Sequence, residues 1–107
     1  MIVIEKNEGT KIPYEVDGTK ITFDDELTLK LQKLQKDEPV HKDICYDSDL
    51  DLCIGTKEGK YYVAEIDIPA IEYEEVEEGG ETHREPLPLN MDDVTLTLWS
   101  IDDKTKI

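Results

Sequence analysis

Asp47, Asp49 and Asp51, with Glu58 closing the run, have the spacing that comes nearest to metal chemistry in this chain. Read as a twelve-residue calcium loop, Asp47–Glu58 puts acids at positions one, three, five and twelve and Ile54 at position eight, and to that extent it resembles an EF-hand loop. It departs at Leu52, in position six, where such a loop needs glycine to turn sharply. Its flanks, His41–Tyr46 and Lys60–Ile66, alternate like strands where an EF-hand has helices. A hairpin with an acidic tip accounts for the same residues. Cys45 and Cys53 lie symmetrically about Asp49, so that hairpin would set them side by side. In a reducing compartment they read as small apolar residues rather than a bond. Zinc would need further ligands, and His41 and His83 show no ligand spacing, so no metal or other cofactor is assigned.

Nucleophilic chemistry finds no footing. Neither Ser48 nor Ser100 stands in a nucleophile-elbow context, and no glycine-rich loop follows a strand to cradle phosphate. Acidic pairs abound, but in so acidic a chain solvated surface carboxylates are a simpler account than a glycosidase dyad. The sequence reads as a binding protein rather than an enzyme. Its densest charge is Glu72–Glu85, which holds seven glutamates and one arginine. Carboxylates at alternate positions of an extended chain, such as Glu65 and Asp67 or Glu72 and Glu74, lie roughly 6–7 Å apart on one side. Phosphates along one nucleic-acid strand are separated by a distance of the same order. An acidic face of this kind could occupy a basic groove, with Glu65, Asp67, Glu72, Glu74, Glu75, Glu77, Glu78, Glu81 and Glu85 supplying charge. Tyr61, Tyr62 and Tyr73 are the expected aromatic anchors.

The elements that must position these residues are strands. In Lys60–Glu78, Tyr62, Ala64, Ile66 and Ile68 fall on one side and Val63, Glu65 and Asp67 on the other, a period of two. Pro69 and a shift of apolar phase to Ile71 and Tyr73 suggest a bulge or an edge. Ile2–Glu5 reads as a first strand; Lys11–Val16 and Lys20–Phe23 flank an Asp17-Gly18 turn of type I′. Asp24–Lys36 fits a strand, from the alternation of Leu27, Leu29 and Leu31, or a helix, from Leu27, Leu31 and Leu34 behind an acidic first turn. We read it as a strand through Leu31, then an irregular or single-turn segment ending before Pro39. His41–Tyr46 and Leu50–Gly55 form a second hairpin, and Asp93–Ile101 a last strand with Val94, Leu96 and Leu98 inward and Trp99 on the threonine face. Residues 74–88 read as a flexible acidic loop and 102–107 as a frayed tail. About seven short strands predict a single all-β domain, a small antiparallel sandwich or barrel.

With 107 residues, 37% hydrophobic, and a formal net charge of −15, the chain borders on disordered compositions, yet its strand periodicity argues that most of it folds. That charge repels nucleic acid and anionic membranes and favours basic partners. The apolar runs are far shorter than the roughly 20 residues of a membrane helix, and Glu5 follows at once on Met1–Ile4, so neither a span nor a secretory signal is expected. A cytoplasmic protein is the simplest reading. His41–Cys45, Tyr62–Pro69 and Met91–Trp99 resemble segments of small acidic proteins encoded by phages and prophages of Gram-positive bacteria. That resemblance implies a non-enzymatic inhibitor of the anti-CRISPR type, acting in the bacterial host cytoplasm. Its partner would be a basic host protein, such as a nuclease or another nucleic-acid-binding effector. The alternative is a structural or assembly protein of a phage that homo-oligomerises through strand edges.

Overall fold

The computed structural model describes residues 1–102 and 104–107. The protein is all-β. Its strands are β1 (Ile2–Glu5), β2 (Tyr14–Asp17), β3 (Lys20–Phe23), β4 (Leu27–Lys30), β5 (Val40–Tyr46), β6 (Leu52–Ile54), β7 (Tyr61–Ile68), β8 (Tyr73–Glu78), β9 (Glu81–Pro86) and β10 (Thr95–Leu98). One helical turn, α1 (Leu31–Leu34), follows β4, so of the alternatives for this segment the strand followed by a single turn is the one that forms, and a 3-10 turn spans Met91–Asp93.

Three sheets form, none closed into a barrel: β1-β10-β7-β5-β6, β2-β3-β4, and the separate pair β8-β9. Side chains of the first two make one core. Ile21, Phe23, Leu29 and Leu31 from one layer meet Ile44, Ala64, Ile66, Ile68, Leu96 and Leu98 from the other, all of them buried. β7 is the middle strand of the larger sheet, in keeping with its clean alternation. Pairing is antiparallel except between β1 and β10, which run parallel with Ile2 opposite Thr95 and Glu5 opposite Leu98. The expectation of a purely antiparallel sheet fails there because the two strands come from opposite ends of the chain, where no tight turn dictates direction.

The first hairpin forms as predicted, with its turn moved one residue on. Asp17 pairs with Lys20, leaving Gly18 and Thr19 as the loop. Gly18 has φ +60° and Thr19 is not among the positive-φ residues, the pattern of a type II′ rather than a type I′ turn. Asp24 and Asp25 link β3 to β4 with φ of 51° and 54°, a left-handed region that aspartate tolerates better than most residues.

Two expectations are overturned. Residues 74–88, read as a loop, contain paired strands: β8 and β9 run antiparallel from Tyr73 opposite Pro86 to Glu78 opposite Glu81. Gly79 and Gly80, with φ of 58° and 83°, supply the type I′ turn that joins them. The sequence concealed this because both faces of the hairpin meet solvent, so no apolar alternation marks it. The tail at 102–107 is also tied down. Tyr62 N donates to Thr105 O at 2.9 Å, Ile107 N donates to Lys60 O at 3.0 Å, and Tyr61 bridges to Lys106. Asp103, part of that expected tail, lies outside the described residues.

Candidate functional site

Two surfaces concentrate chemistry, and the expected acidic face divides between them. The first is the β8–β9 hairpin. Its register sorts the side chains by face. Tyr73, Glu75, Glu77, Thr82, Arg84 and Pro86 share one face, on which the Arg84 guanidinium lies 4.4 Å from the centre of the Tyr73 ring. The other face carries Glu74 opposite Glu85, Val76 opposite His83, and Glu78 opposite Glu81. Both like-charged pairs are exposed. Directly opposed like charges destabilise a ladder, so this face holds negative charge at a cost.

The hairpin is anchored at its base. The Tyr73 hydroxyl donates to the Asp37 carboxylate, which holds the phenol above its ordinary pKa. Ile71 N donates to Lys36 O at 2.8 Å and Leu87 N to Glu72 O at 2.7 Å. The Gln35 amide donates to Pro69 O and Ala70 O. Glu72 lies in the connector before β8, so it does not share a strand face with Glu74 as its spacing suggested. Among the described residues, the ion pairs involve the two histidines and the amino terminus, and no lysine or arginine side chain joins one. On the hairpin, Glu85 Oε1 lies 3.0 Å from His83 Nε2 and Arg84 stands opposite Glu75, but no hairpin glutamate is within ion-pair distance of a lysine or arginine among the described residues.

The second surface is the outer face of the five-stranded sheet. Glu65 and Asp67 of β7 lie opposite Asp43 and His41 of β5, and opposite Thr97 and Thr95 of β10. His41 stands among three carboxylates. Its Nδ1 is 2.6 Å from Asp67 Oδ1, and its Nε2 is 2.9 Å from Asp43 Oδ1 and 3.6 Å from Glu65 Oε1. The hydrogen bond to Asp67 raises the imidazole pKa above its ordinary value, partial burial opposes the rise, and Asp43 adds to it. The other oxygen of Glu65 accepts from the Trp99 indole at 2.8 Å. The Trp99 ring stacks on Tyr62 with centroids 4.8 Å apart, and Lys6 Nζ lies 5.6 Å from the Trp99 ring centre.

Tyr62 is a correction. Strict alternation puts it on the inner side with Ala64, but it stacks on Trp99, the residue that bonds Glu65 on the outer face. A bulge is the cause. Ile44 pairs with Ala64 and the next residue, Cys45, pairs with Tyr62, which leaves Val63 unopposed and reverses the side-chain phase beyond it. Pro69, the expected place for a bulge or an edge, follows directly on the end of β7 at Ile68, and the bulge of this strand lies at Val63. Tyr61, beyond the bulge, is held in the bridge to Lys106.

The hairpin tipped by Asp47–Asp51 also forms. Cys45 lies directly opposite Cys53, as the symmetry about Asp49 predicts, and both are free thiols. Burial pushes the Cys45 thiol up to about 11. Asp47 Oδ1 accepts from Asp49 N at 2.8 Å and Asp51 N at 3.0 Å, the bonding of an acidic turn between strands. Sequence reasoning missed His41, Asp43 and Trp99 as members of one cluster. The signal was present as two i, i+2 pairs, His41/Asp43 and Glu65/Asp67, but only the β5–β7 register brings them together. No helix among the described residues is long and apolar enough to cross a membrane. Comparison with family models, curated proteins and solved structures finds no match to this chain.

Proposed function

We propose that the protein is an acidic binding protein whose β8–β9 hairpin docks on a cationic surface of a nucleic-acid-handling protein, in the manner of a phage-type inhibitor. The observation that carries this reading is the hairpin face with Glu74 opposite Glu85 and Glu78 opposite Glu81. Two repulsive pairs on one small ladder cost stability in the free protein, and a cationic partner relieves that cost on binding. Cross-strand neighbours lie about 5.5 Å apart and the two pairs about 13 Å apart along the hairpin. Within the hairpin the 6–7 Å interval expected from phosphate mimicry belongs to Glu75 and Glu77, on the face shared with Arg84, while Glu65 and Asp67 keep it on β7. Tyr73 is the aromatic residue placed to contact such a partner, since it is partly exposed at the hairpin base. Glu65 and Asp67 engage Trp99 and His41, so their role on this reading is secondary. The setting is the cytoplasm of a bacterial host.

The test is capture of nucleic-acid-binding proteins from a bacterial lysate on the immobilised chain. Capture is expected to fall with added salt and with added oligonucleotide, and Glu74→Lys with Glu78→Lys is expected to abolish it. Capture that survives both the salt and the double reversal would refute the reading.

One observation favours assembly as the second reading. The edge strand β1 exposes Ile2, Val3 and Ile4 at 53%, 45% and 47%. Ile2 N donates to Val94 O and Lys6 N to Leu98 O, so the polar backbone of Val3 and Glu5 points away from the sheet. Pairing of two chains through β1 would appear as a concentration-dependent dimer in light scattering, abolished by Val3→Lys.

A further inference from the structure

We infer that His41, Asp43 and Glu65 form a binding site for a zinc-like divalent cation on the outer face of the five-stranded sheet, distinct from the acidic hairpin. Three observations lead there. The donor atoms converge: His41 Nε2 lies 2.9 Å from Asp43 Oδ1 and 3.6 Å from Glu65 Oε1. The ligand atoms of the three residues all lie within 4.8 Å of one another. Ligands held about 2.0 Å from a tetrahedral zinc ion are separated by roughly 3.3 Å, and the two imidazole–carboxylate distances straddle that value.

The ring is also oriented as a metal-bound histidine is. Asp67 Oδ1 lies 2.6 Å from Nδ1, a carboxylate behind the ring of the kind that orients metal-bound histidines, and Nε2 faces Asp43 and Glu65. Finally, Glu65 is held from behind. Its Oε2 accepts from Trp99 Nε1 at 2.8 Å, which leaves Oε1 facing the histidine. Trp99 is itself fixed by its stack on Tyr62 and by its backbone N–H, which donates at 3.0 Å to the carbonyl of the bulged Val63.

One imidazole with two carboxylates selects against calcium and magnesium, which prefer oxygen alone, and suits zinc with solvent in the open position. The second acidic group, Asp47, Asp49 and Asp51, lacks a nitrogen donor, and Asp47 Oδ1 there already accepts two backbone N–H groups.

The experiment is calorimetric titration of the full chain with zinc chloride at mildly alkaline pH, in parallel with ¹⁵N spectroscopy of the histidine rings. One zinc ion per chain is expected, with a large shift of His41 Nε2. His41→Gln and Glu65→Gln should each weaken uptake by at least about 30-fold. Asp67→Asn, which removes the carboxylate behind the ring without removing a ligand, should weaken it about 10-fold and change the His41 ring signals in the metal-free protein. Asp49→Asn, Cys53→Ser and the Glu74→Lys/Glu78→Lys hairpin variant should leave it unchanged, so failure here and failure of the hairpin reading are separable. The His41 ring signal in the unsubstituted chain decides the matter even where a variant folds poorly. Absence of saturable uptake, or uptake that shifts only Asp47–Asp51 or Cys53 and leaves the His41 ring unmoved, would overturn the assignment.

Discussion

Replacing Glu81 and Glu85 by lysine is expected to make the acidic hairpin more stable while making it a worse binding surface. The magnitude follows from the register, in which Glu81 faces Glu78 and Glu85 faces Glu74. Carboxylates on directly opposed strand positions are about 6 Å apart, and two unit charges at that distance in water interact by about 0.7 kcal/mol. Physiological salt, with a Debye length near 8 Å, cuts this roughly in half. Turning each repulsion into an attraction therefore changes each pair by ~0.6 kcal/mol, within the range measured for exposed pairs. Two pairs give ~1.2 kcal/mol, or about an eightfold change in the opening equilibrium of the hairpin. Global unfolding would not register this, because the β8–β9 sheet is separate from the core sheets. Native-state amide exchange of β8 and β9 would, since local opening has its own free energy. Exchange is expected to slow about eightfold, and added salt should slow it in the natural chain and speed it in the variant. Unchanged or faster exchange in the variant, or insensitivity of both chains to salt, would show that the opposed glutamates do not repel one another and would remove the argument for a strained recognition face.

Other expectations concern the body of the molecule. Ile66→Ala, at a fully buried position of the central strand, should cost about 2–5 kcal/mol in chemical denaturation through the cavity it leaves. Gly59→Ala should destabilise by about 1–3 kcal/mol in the same assay, because the new Cβ would meet Cys45 Cβ at 2.7 Å and Ile107 Cδ1 at 2.9 Å, tying the tail to β5 too tightly. Trp99→Phe keeps the ring over Tyr62 but removes the indole bond to Glu65, and a loss of about 1–2 kcal/mol is expected, measured as a shift in the denaturation midpoint. Asp102 accepts from Thr10 N, which lowers its pKa in the folded protein. Its contribution is then present above the unfolded-state carboxylate pKa and lost as pH falls through the lower folded value, so the stability gap between the natural chain and Asp102→Asn should close in acid and be constant near neutrality.

Much of the fold could be read from short-range signals. Asp17-Gly18 between two alternating runs located the first hairpin, whereas the leucines of Leu27–Leu34 fit both a strand and a helix, and the chain uses them for one and then the other. The acidic tip at Asp47–Asp51 located the second, down to the pairing of Cys45 with Cys53. What stayed hidden depended on partners distant in sequence or on solvent. The parallel match of β1 to β10 joins the two ends of the chain. The β8–β9 hairpin buries neither face, so its only local signature was Gly79-Gly80. The tail is held by backbone bonds to Lys60 and Tyr62, which no side-chain pattern records.

The histidine cluster was illegible for a sharper reason, which lies in one inserted residue. On the tail side of Val63 the β7 side chains are one position out of phase with those on the Pro69 side. Without the bulge, Tyr62 would point into the core beside Ala64, and the outer face would lack the ring against which Trp99 stacks. Trp99 would then have no platform from which to hold Glu65, and Glu65 Oε1 would have no fixed direction towards His41. The Val63 carbonyl accepts from Trp99 N on the β10 side, where the regular β10–β7 register continues, so the bulge turns the tyrosine outward while the unbroken ladder holds the tryptophan beside it. Bulges recur where a strand must re-aim a side chain. Here the re-aimed residue is two steps removed from the histidine, and a sequence of alternating letters cannot show that the count has slipped. The acids at Glu65 and Asp67 therefore look like part of a general negative surface until the register is known, and like carboxylates gathered around one imidazole once it is.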